Sequence, residues 1–382
     1  MGKFGKFFRL LGIERGFVSV AGANITSQLI LGLFWLFLAS FVEPKDYGQL
    51  NYFTSFSFVT AAFILLGLNT TVMTFLPKGE EMLKNKANHL VLLSSCAIIL
   101  PIFLLTSNVP SVVLAISTSI FIMTQAGILG LKNYKRYYRV AIGQRLLLVA
   151  LSLLLYYTNG IDGIIIGFAI SQFLFSYDYY KSLRGFNLNF KELRPKFRFI
   201  VHMFFSNLES RIILYVDKLV IGSLFGLEIL GLYQFGFQFL MFLSVIPLSI
   251  QNFLLPQMSS GIYNQKIIRT SLLFALMVSI ISFLVIPYFI RSFFPLYQET
   301  IQAAQIMVLG IFPITVNSTI TPKLLANKNS QPVFVATMIR LVSLFPLILF
   351  LGRNMGLLGL AISVVISISL QTIFLIIASK KH

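Results

Sequence analysis

Apolar runs of about 17 to 25 residues, separated by short polar segments, recur from one end of the chain to the other. As helices rising 1.5 Å per residue, such runs cross the roughly 30 Å of hydrocarbon in a bilayer. They lie near 17–41, 47–76, 90–105, 109–131, 141–157 and 161–175, and then near 200–224, 229–255, 267–290, 301–325, 333–351 and 355–378. The pattern predicts an all-α integral membrane protein with about twelve transmembrane helices. Composition agrees. A chain of 382 residues that is 57% hydrophobic and 11% charged, with a mean hydropathy of +0.86, carries more apolar surface than one soluble core can hide.

The polar segments alternate in charge. Those on one side hold Lys3, Lys6 and Arg9; Lys78, Lys84 and Lys86; and Lys132, Lys135, Arg136 and Arg139. That side continues with Lys181, Arg184, Lys191, Arg194, Lys196 and Arg198, then Lys266, Arg269, Lys323, Lys328, Lys380 and Lys381. The intervening loops hold only Lys45, Arg291 and Arg353. This is the positive-inside signature, with both termini cytoplasmic and an even number of spans. The net charge of +18 therefore reports topology in a cell membrane and contact with anionic lipids, not a nucleic-acid groove.

Residues 1–16 alternate basic and aromatic side chains and fit a cytoplasmic amphipathic segment lying in the interface. Gly2 lacks the Ser or Thr that myristoylation requires at position 6. The first apolar run is too long for a signal-peptide core and lacks a small-residue cleavage site, so it reads as a retained span. The single cysteine, Cys96, rules out an intrachain disulfide.

The chain repeats itself. At an offset of 183, Asn24 pairs with Asn207, Ser27 with Ser210, Ser40 with Ser223 and Gly48 with Gly231. At an offset of 195, Val140-Ala141 pairs with Val335-Ala336, Arg145 with Arg340 and Asn159 with Asn354. After a three-residue slip, Gly167-Phe168-Ala169-Ile170-Ser171 faces Gly359-Leu360-Ala361-Ile362-Ser363. Matched polar and glycine positions are more telling than matched leucines, and they point to duplication. Six spans per half is an even number, so the halves keep one orientation. The expected organisation is an N-terminal six-helix bundle over 17–177, a basic cytoplasmic linker over 178–199 and a C-terminal six-helix bundle over 200–382, around a central cavity.

The seventh run stands apart from the rest. It carries Glu209, Arg211, Asp217 and Lys218 within a stretch apolar enough to span. Charges at membrane depth are costly and usually face a bundle interior or a watery cavity. Asn207 and Arg211 share a helix face at i and i+4, as do Asn24 and Gln28 in the first run. Counting from residue 200 at the cytoplasmic end places Glu209 and Arg211 roughly 13 to 17 Å deep, near the midplane. Asp217 and Lys218 fall roughly 25 Å along, where an interfacial ion pair is the plainer reading. The candidate substrate-binding residues are therefore Arg211, Glu209, Asn207, Asn24, Gln28, Lys218 and Asp217. Several also have a structural reading: Arg211 as partner to Glu209 through a water or to a neighbouring carbonyl, Asn24 and Gln28 as interhelical glue. Arg145 and Arg340 begin a short way into their spans, where snorkelling to the headgroups is the default.

The three histidines, His89, His202 and His382, lack metal-ligand spacing, and no phosphate-binding Gly-Lys-Ser/Thr loop is present. No metal site, cofactor or ATP hydrolysis is expected, and the chain is not expected to be an enzyme. A membrane glycan polymerase or ligase calls for a long extracytoplasmic loop, which this pattern lacks.

The stretch Phe41-Val42-Glu43-Pro44-Lys45-Asp46-Tyr47-Gly48-Gln49-Leu50, followed by Leu66-Gly67-Leu68-Asn69 and Phe75-Leu76-Pro77, resembles the opening of the polysaccharide and oligosaccharide flippases of the MATE-like superfamily. The second half is similar to the same family in Asp217-Lys218-Leu219-Val220-Ile221-Gly222, Leu230-Gly231-Leu232-Tyr233 and Leu255-Pro256-Gln257-Met258-Ser259. The resemblance implies two six-helix bundles around a central cavity. It also implies translocation of a polyprenyl-linked sugar from the inner to the outer leaflet, by alternating access and with H+ or Na+ as a possible coupling ion. A pyrophosphate-linked substrate is a dense anion, which suits Arg211 and Lys218. The alternative is a proton- or sodium-coupled multidrug antiporter of the same superfamily, for which Glu209 and Asp217 are the available acids. Membrane lipids are the other expected partners, nucleic acid is not one, and the chain is expected to function as a monomer.

Overall fold

The computed structural model describes residues 15–261, 263–327 and 329–380. The cytoplasmic N-terminal segment expected over 1–16 lies almost wholly outside them. The described residues are α-helical with three short 3-10 turns and no strand. The helices are α1 (Arg15–Ala39), α2 (Pro44–Leu65), α3 (Leu68–Phe75), α4 (Glu81–Thr106), α5 (Val109–Gly130), α6 (Tyr134–Leu174), α7 (Tyr177–Ser182), α8 (Phe197–Phe225), α9 (Leu227–Leu243), α10 (Val245–Ser259), α11 (Gln265–Phe293), α12 (Ile301–Leu309), α13 (Ile311–Ala326) and α14 (Gln331–Lys380). Among the described residues eight helical segments are long and apolar enough to cross a membrane, or nine if the pair at α2 and α3, bent by 54°, forms one.

The expected twelve exceeds that count, and two of the segments double back, so counting their arms separately gives ten or eleven. In α6 a straight helix would hold Gln144 and Ser171, 27 residues apart, roughly 40 Å from one another. Instead the Gln144 Nε2 donates to Ser171 Oγ at 2.9 Å, and Ser152 Oγ donates to the Ile164 carbonyl at 3.1 Å. The reversal is at Gly160, whose φ of 59° and ψ of −139° no β-carbon tolerates easily. The two arms then pack so tightly that a β-carbon on Gly163 would sit 2.0 Å from the Leu155 carbonyl oxygen. The same construction recurs in α14, with Gly356 at φ 56° and ψ −134° and a Gly359 β-carbon 1.9 Å from the Leu351 oxygen. By this geometry Gly359 corresponds to Gly163 rather than to Gly167. The turns sit 196 residues apart, one more than the sequence register.

By contacts the chain forms two units. The first comprises residues up to Trp35 and Leu50–Leu219. At its centre α5 packs against α3, α4, α6 and α7. Its buried serines and threonines let helices approach closely while satisfying their own hydroxyls. Ser119 donates to the Ala115 carbonyl at 2.8 Å, and Ser117 and Thr118 both reach Gln172 Oε1, at 2.8 and 3.0 Å. At one end the linker is tied down by ion pairs, Arg136 to Asp178 at 2.9 Å and Lys196 to Glu80 at 3.0 Å, and by Lys86 donating to Asn187.

The second unit comprises Leu36–Gln49 and Val220–His382. It packs α9 against α12, α10 against α13 and α14 against α12 and α13. Aromatic rings fill its core. Phe235 lies 4.3 Å from Tyr297 and 5.0 Å from Phe294, centroid to centroid, and the buried Tyr297 hydroxyl donates to the Val42 carbonyl at 2.9 Å. Outside, α11 exposes Leu273, Met277, Ile280, Ile281, Leu284 and Tyr288, an apolar face that only a lipid environment stabilises. The chain is a multi-pass membrane protein.

Candidate functional site

The helix that carries Glu209, Arg211, Asp217 and Lys218, α8, begins in the basic linker and belongs to the first unit along most of its length. Two features fix it there. A β-carbon on Gly67, at φ +78°, would lie 2.4 Å from the Phe204 nitrogen and 2.7 Å from the Ile200 oxygen, so only glycine permits this approach of backbone to backbone. One turn further, Asn207 Nδ2 donates to Asn69 Oδ1 at 2.9 Å and to Thr70 Oγ1 at 3.3 Å. Both contacts fall at the break between α2 and α3, where Leu66 also takes a positive φ of 50°.

Further along α8, Tyr215 is the hub of a cationic and aromatic cluster. Its ring centroid lies 5.1 Å from that of Phe58 on α2, and Phe58 lies 5.8 Å from Phe168 on the second arm of α6. The Arg211 Cζ sits 5.9 Å and the Lys218 Nζ 6.0 Å from the Tyr215 ring centroid. Arg145, from the first arm of α6, places its Cζ 5.9 Å from Phe168, with Tyr215 and Tyr137 as its electrostatic neighbours. Aromatic faces at this range contribute only about 0.5 kcal/mol each to holding a cation. Arg145 Nη1 is buried and has no hydrogen-bond partner among the described residues, an arrangement that costs a cation dearly until an anion completes it.

The remaining candidates fall into place around this cluster. Asn24 Oδ1 accepts from Tyr137 Oη at 2.9 Å, so the first span reaches the Arg145 neighbourhood through a tyrosine. Gln28 is exposed and joins no hydrogen bond among the described residues. Glu209 is half-buried and makes no direct ion pair with Arg211 or any other described cation. Lys218 and Asp217 do pair, at 3.1 Å, and Lys218 also donates to the Leu214 carbonyl at 2.7 Å. Both are only 5% exposed, so the pair is enclosed by protein.

Arg145 departs from the snorkelling expected of it: its guanidinium turns into protein among Phe168, Tyr137 and Tyr215. The sequence does not mark the tyrosines and phenylalanines of the cluster, because aromatic side chains in an apolar run look like lipid contacts. The available signal was Gln144-Arg145, two adjacent polar residues inside a span. Among the described residues no three His, Cys, Asp or Glu side chains come together as a metal ion would require.

The fold has solved counterparts. The lipid II flippase MurJ in an inward closed conformation superposes with a TM-score of 0.77 at 16% identity, covering 94% of this chain and 87% of that one. An inward-facing multidrug resistance MATE family transporter of the MOP superfamily gives 0.71 at 13% identity, over 96% and 98% of the two chains. A mutant of the Vibrio cholerae MATE transporter VcmN gives 0.61 at 14% identity, over 96% and 98%. At these identities the likeness establishes the fold. No curated protein sequence matches the chain. Residues 37–302, more than half of its length, match the model of the family described as "Polysaccharide biosynthesis protein", and the chain belongs to that family.

Proposed function

We propose that this protein is a flippase that moves a lipid-linked oligosaccharide or polysaccharide precursor from the inner to the outer leaflet of the cell membrane. It works by alternating access, coupled to H+ or Na+, as a monomer with both termini cytoplasmic. The observation that carries this reading is the cluster of Arg145, Arg211 and Lys218 about Tyr215, with a buried Arg145 Nη1 that lacks a partner among the described residues. Its excess of positive charge and planar guanidinium donors suits the phosphate of a lipid-linked sugar, and the tyrosine ring suits a sugar face. Family membership supports the substrate class, and the likeness to a lipid II flippase supports the direction of the argument.

The organisation proposed is two six-helix bundles, 17–177 and 200–382, joined by a basic linker over 178–199. Counting each of the reversed helices α6 and α14 as two crossings and adding α4 supports twelve. In cells that depend on this protein for a surface glycan, Arg211→Ala and Arg145→Ala are each expected to abolish export while the protein still inserts in the membrane. Full export by either variant would remove that residue from the site.

A cation antiporter is the second reading, favoured by one observation: Glu209 is half-buried without a partner cation among the described residues, beside a fold shared with multidrug transporters. It requires Glu209→Gln or Asp217→Asn to abolish extrusion of an organic cation from loaded vesicles, with Arg211→Ala leaving extrusion intact.

A further inference from the structure

A second site lies at the linker end of α8, away from the cationic cluster. There a cavity of about 530 Å³ opens to the surface. Leu66 and Leu90 form one wall, Phe190 and Leu193 of the linker a second, and Phe197 and Phe204 of α8 the third. The only charged side chain lining it is Arg194. The Arg194 side chain is exposed and makes no hydrogen bond or ion pair among the described residues. Its neighbour Lys196 is already engaged, with Glu80 at 3.0 Å and over the Phe75 ring at 4.2 Å.

The chemistry of an occupant follows from these facts. A groove this apolar and this open is unfavourable in water but takes a hydrocarbon chain readily. A single free guanidinium at its edge asks for a single negative charge. An anionic phospholipid supplies both, since its phosphodiester carries one charge and its chains are apolar, whereas a pyrophosphate carrier brings more charge than one arginine balances. The groove is also built at the break in the α2–α3 span, where Leu66 at φ +50° holds a conformation that branched or bulky side chains adopt rarely. Its occupant would touch both that break and the linker.

We propose that this groove binds one anionic phospholipid, chain between Leu66, Leu90 and Phe204 and phosphate on Arg194. In the orientation proposed above, which this inference borrows only to name the leaflet, the lipid comes from the cytoplasmic side. Binding itself is independent of whether the protein flips a sugar.

The test is native mass spectrometry of the purified full chain, released from detergent with equimolar phosphatidylglycerol and phosphatidylcholine of the same acyl chains. One phosphatidylglycerol is expected to stay bound at collision energies that strip phosphatidylcholine. Loss of one charge-assisted contact in Arg194→Gln should lower its retention about tenfold and erase the preference between the two lipids. Val201→Trp, which fills the groove from α8 without touching Arg194's charge, should release both lipids, and Lys266→Gln on the other unit should change neither. Retention of phosphatidylglycerol by Arg194→Gln at the wild-type level, or its loss in Lys266→Gln, overturns the site. Displacement of phosphatidylglycerol by an equimolar polyprenyl phosphate in an Arg194-dependent way overturns the choice of occupant.

Discussion

Arg145 and Asp217 show how a single charged residue in this chain is placed. Arg145 is enclosed by aromatic rings and lacks a full set of partners, while Asp217 is enclosed and satisfied by the adjacent Lys218. Removing the two should have different effects. Asp217→Ala strands a buried ammonium and is expected to lower stability by about 3 kcal/mol, seen as a fall in the unfolding temperature in detergent. Arg145→Ala removes a buried charge that costs energy, so the folded protein is expected to be as stable as the wild type or more so while losing transport. A transport-dead variant that is also strongly destabilised would make Arg145 a structural residue. Position along a helix was readable from sequence, since Arg211, Asp217 and Lys218 do lie on the span expected. Lateral burial was not readable: counting residues gives depth along the axis, and only the packing around α8 decides that Lys218 is enclosed.

At the scale of elements, glycines decide where helices meet. Gly48 near the start of α2 and Gly231 on α9 touch one another reciprocally. A β-carbon on Gly48 would lie 1.7 Å from the Leu227 oxygen, and one on Gly231 would lie 1.8 Å from the Pro44 oxygen. Pro44 and Leu227 are themselves 183 residues apart, so the contact is nearly symmetric under the repeat read from sequence. Gly48→Ala and Gly231→Ala are therefore each expected to cut the yield of folded protein sharply. Gly79→Ala tests the contrast. Gly79 has φ +89° but open space around it, and its substitution should cost only about 1 kcal/mol. Equal losses at Gly48 and Gly79 would mean that backbone strain, not close approach, sets the cost. The spans and the 183 offset were legible because hydropathy and glycine spacing are local. The exact turn register, 196 at Gly160 and Gly356, was not. It depends on which glycine the opposing arm touches, and leucine-rich arms align almost equally well one residue away.

For the whole molecule, the alternation of basic loops is the strongest global signal, and it fixes what a topology experiment should find. In a Cys96→Ser background, Lys191→Cys in the linker is expected to react with a membrane-impermeant maleimide only after cells are opened. Arg291→Cys at the end of α11 and Lys45→Cys at the start of α2 should react in intact cells. Labelling of Lys191→Cys from outside would invert the orientation and with it the proposed direction of transport. The most direct test of the central claim is transport in proteoliposomes that hold the purified protein and a fluorescent polyprenyl-pyrophosphate oligosaccharide. Dithionite quenching then reports how fast the outer and inner pools exchange. Wild-type protein is expected to collapse the protected pool, and Arg145→Ala/Arg211→Ala to leave exchange at the rate of protein-free liposomes. Exchange by the double variant at the wild-type rate, or no exchange by the wild type, would contradict a flippase working through this cationic cluster.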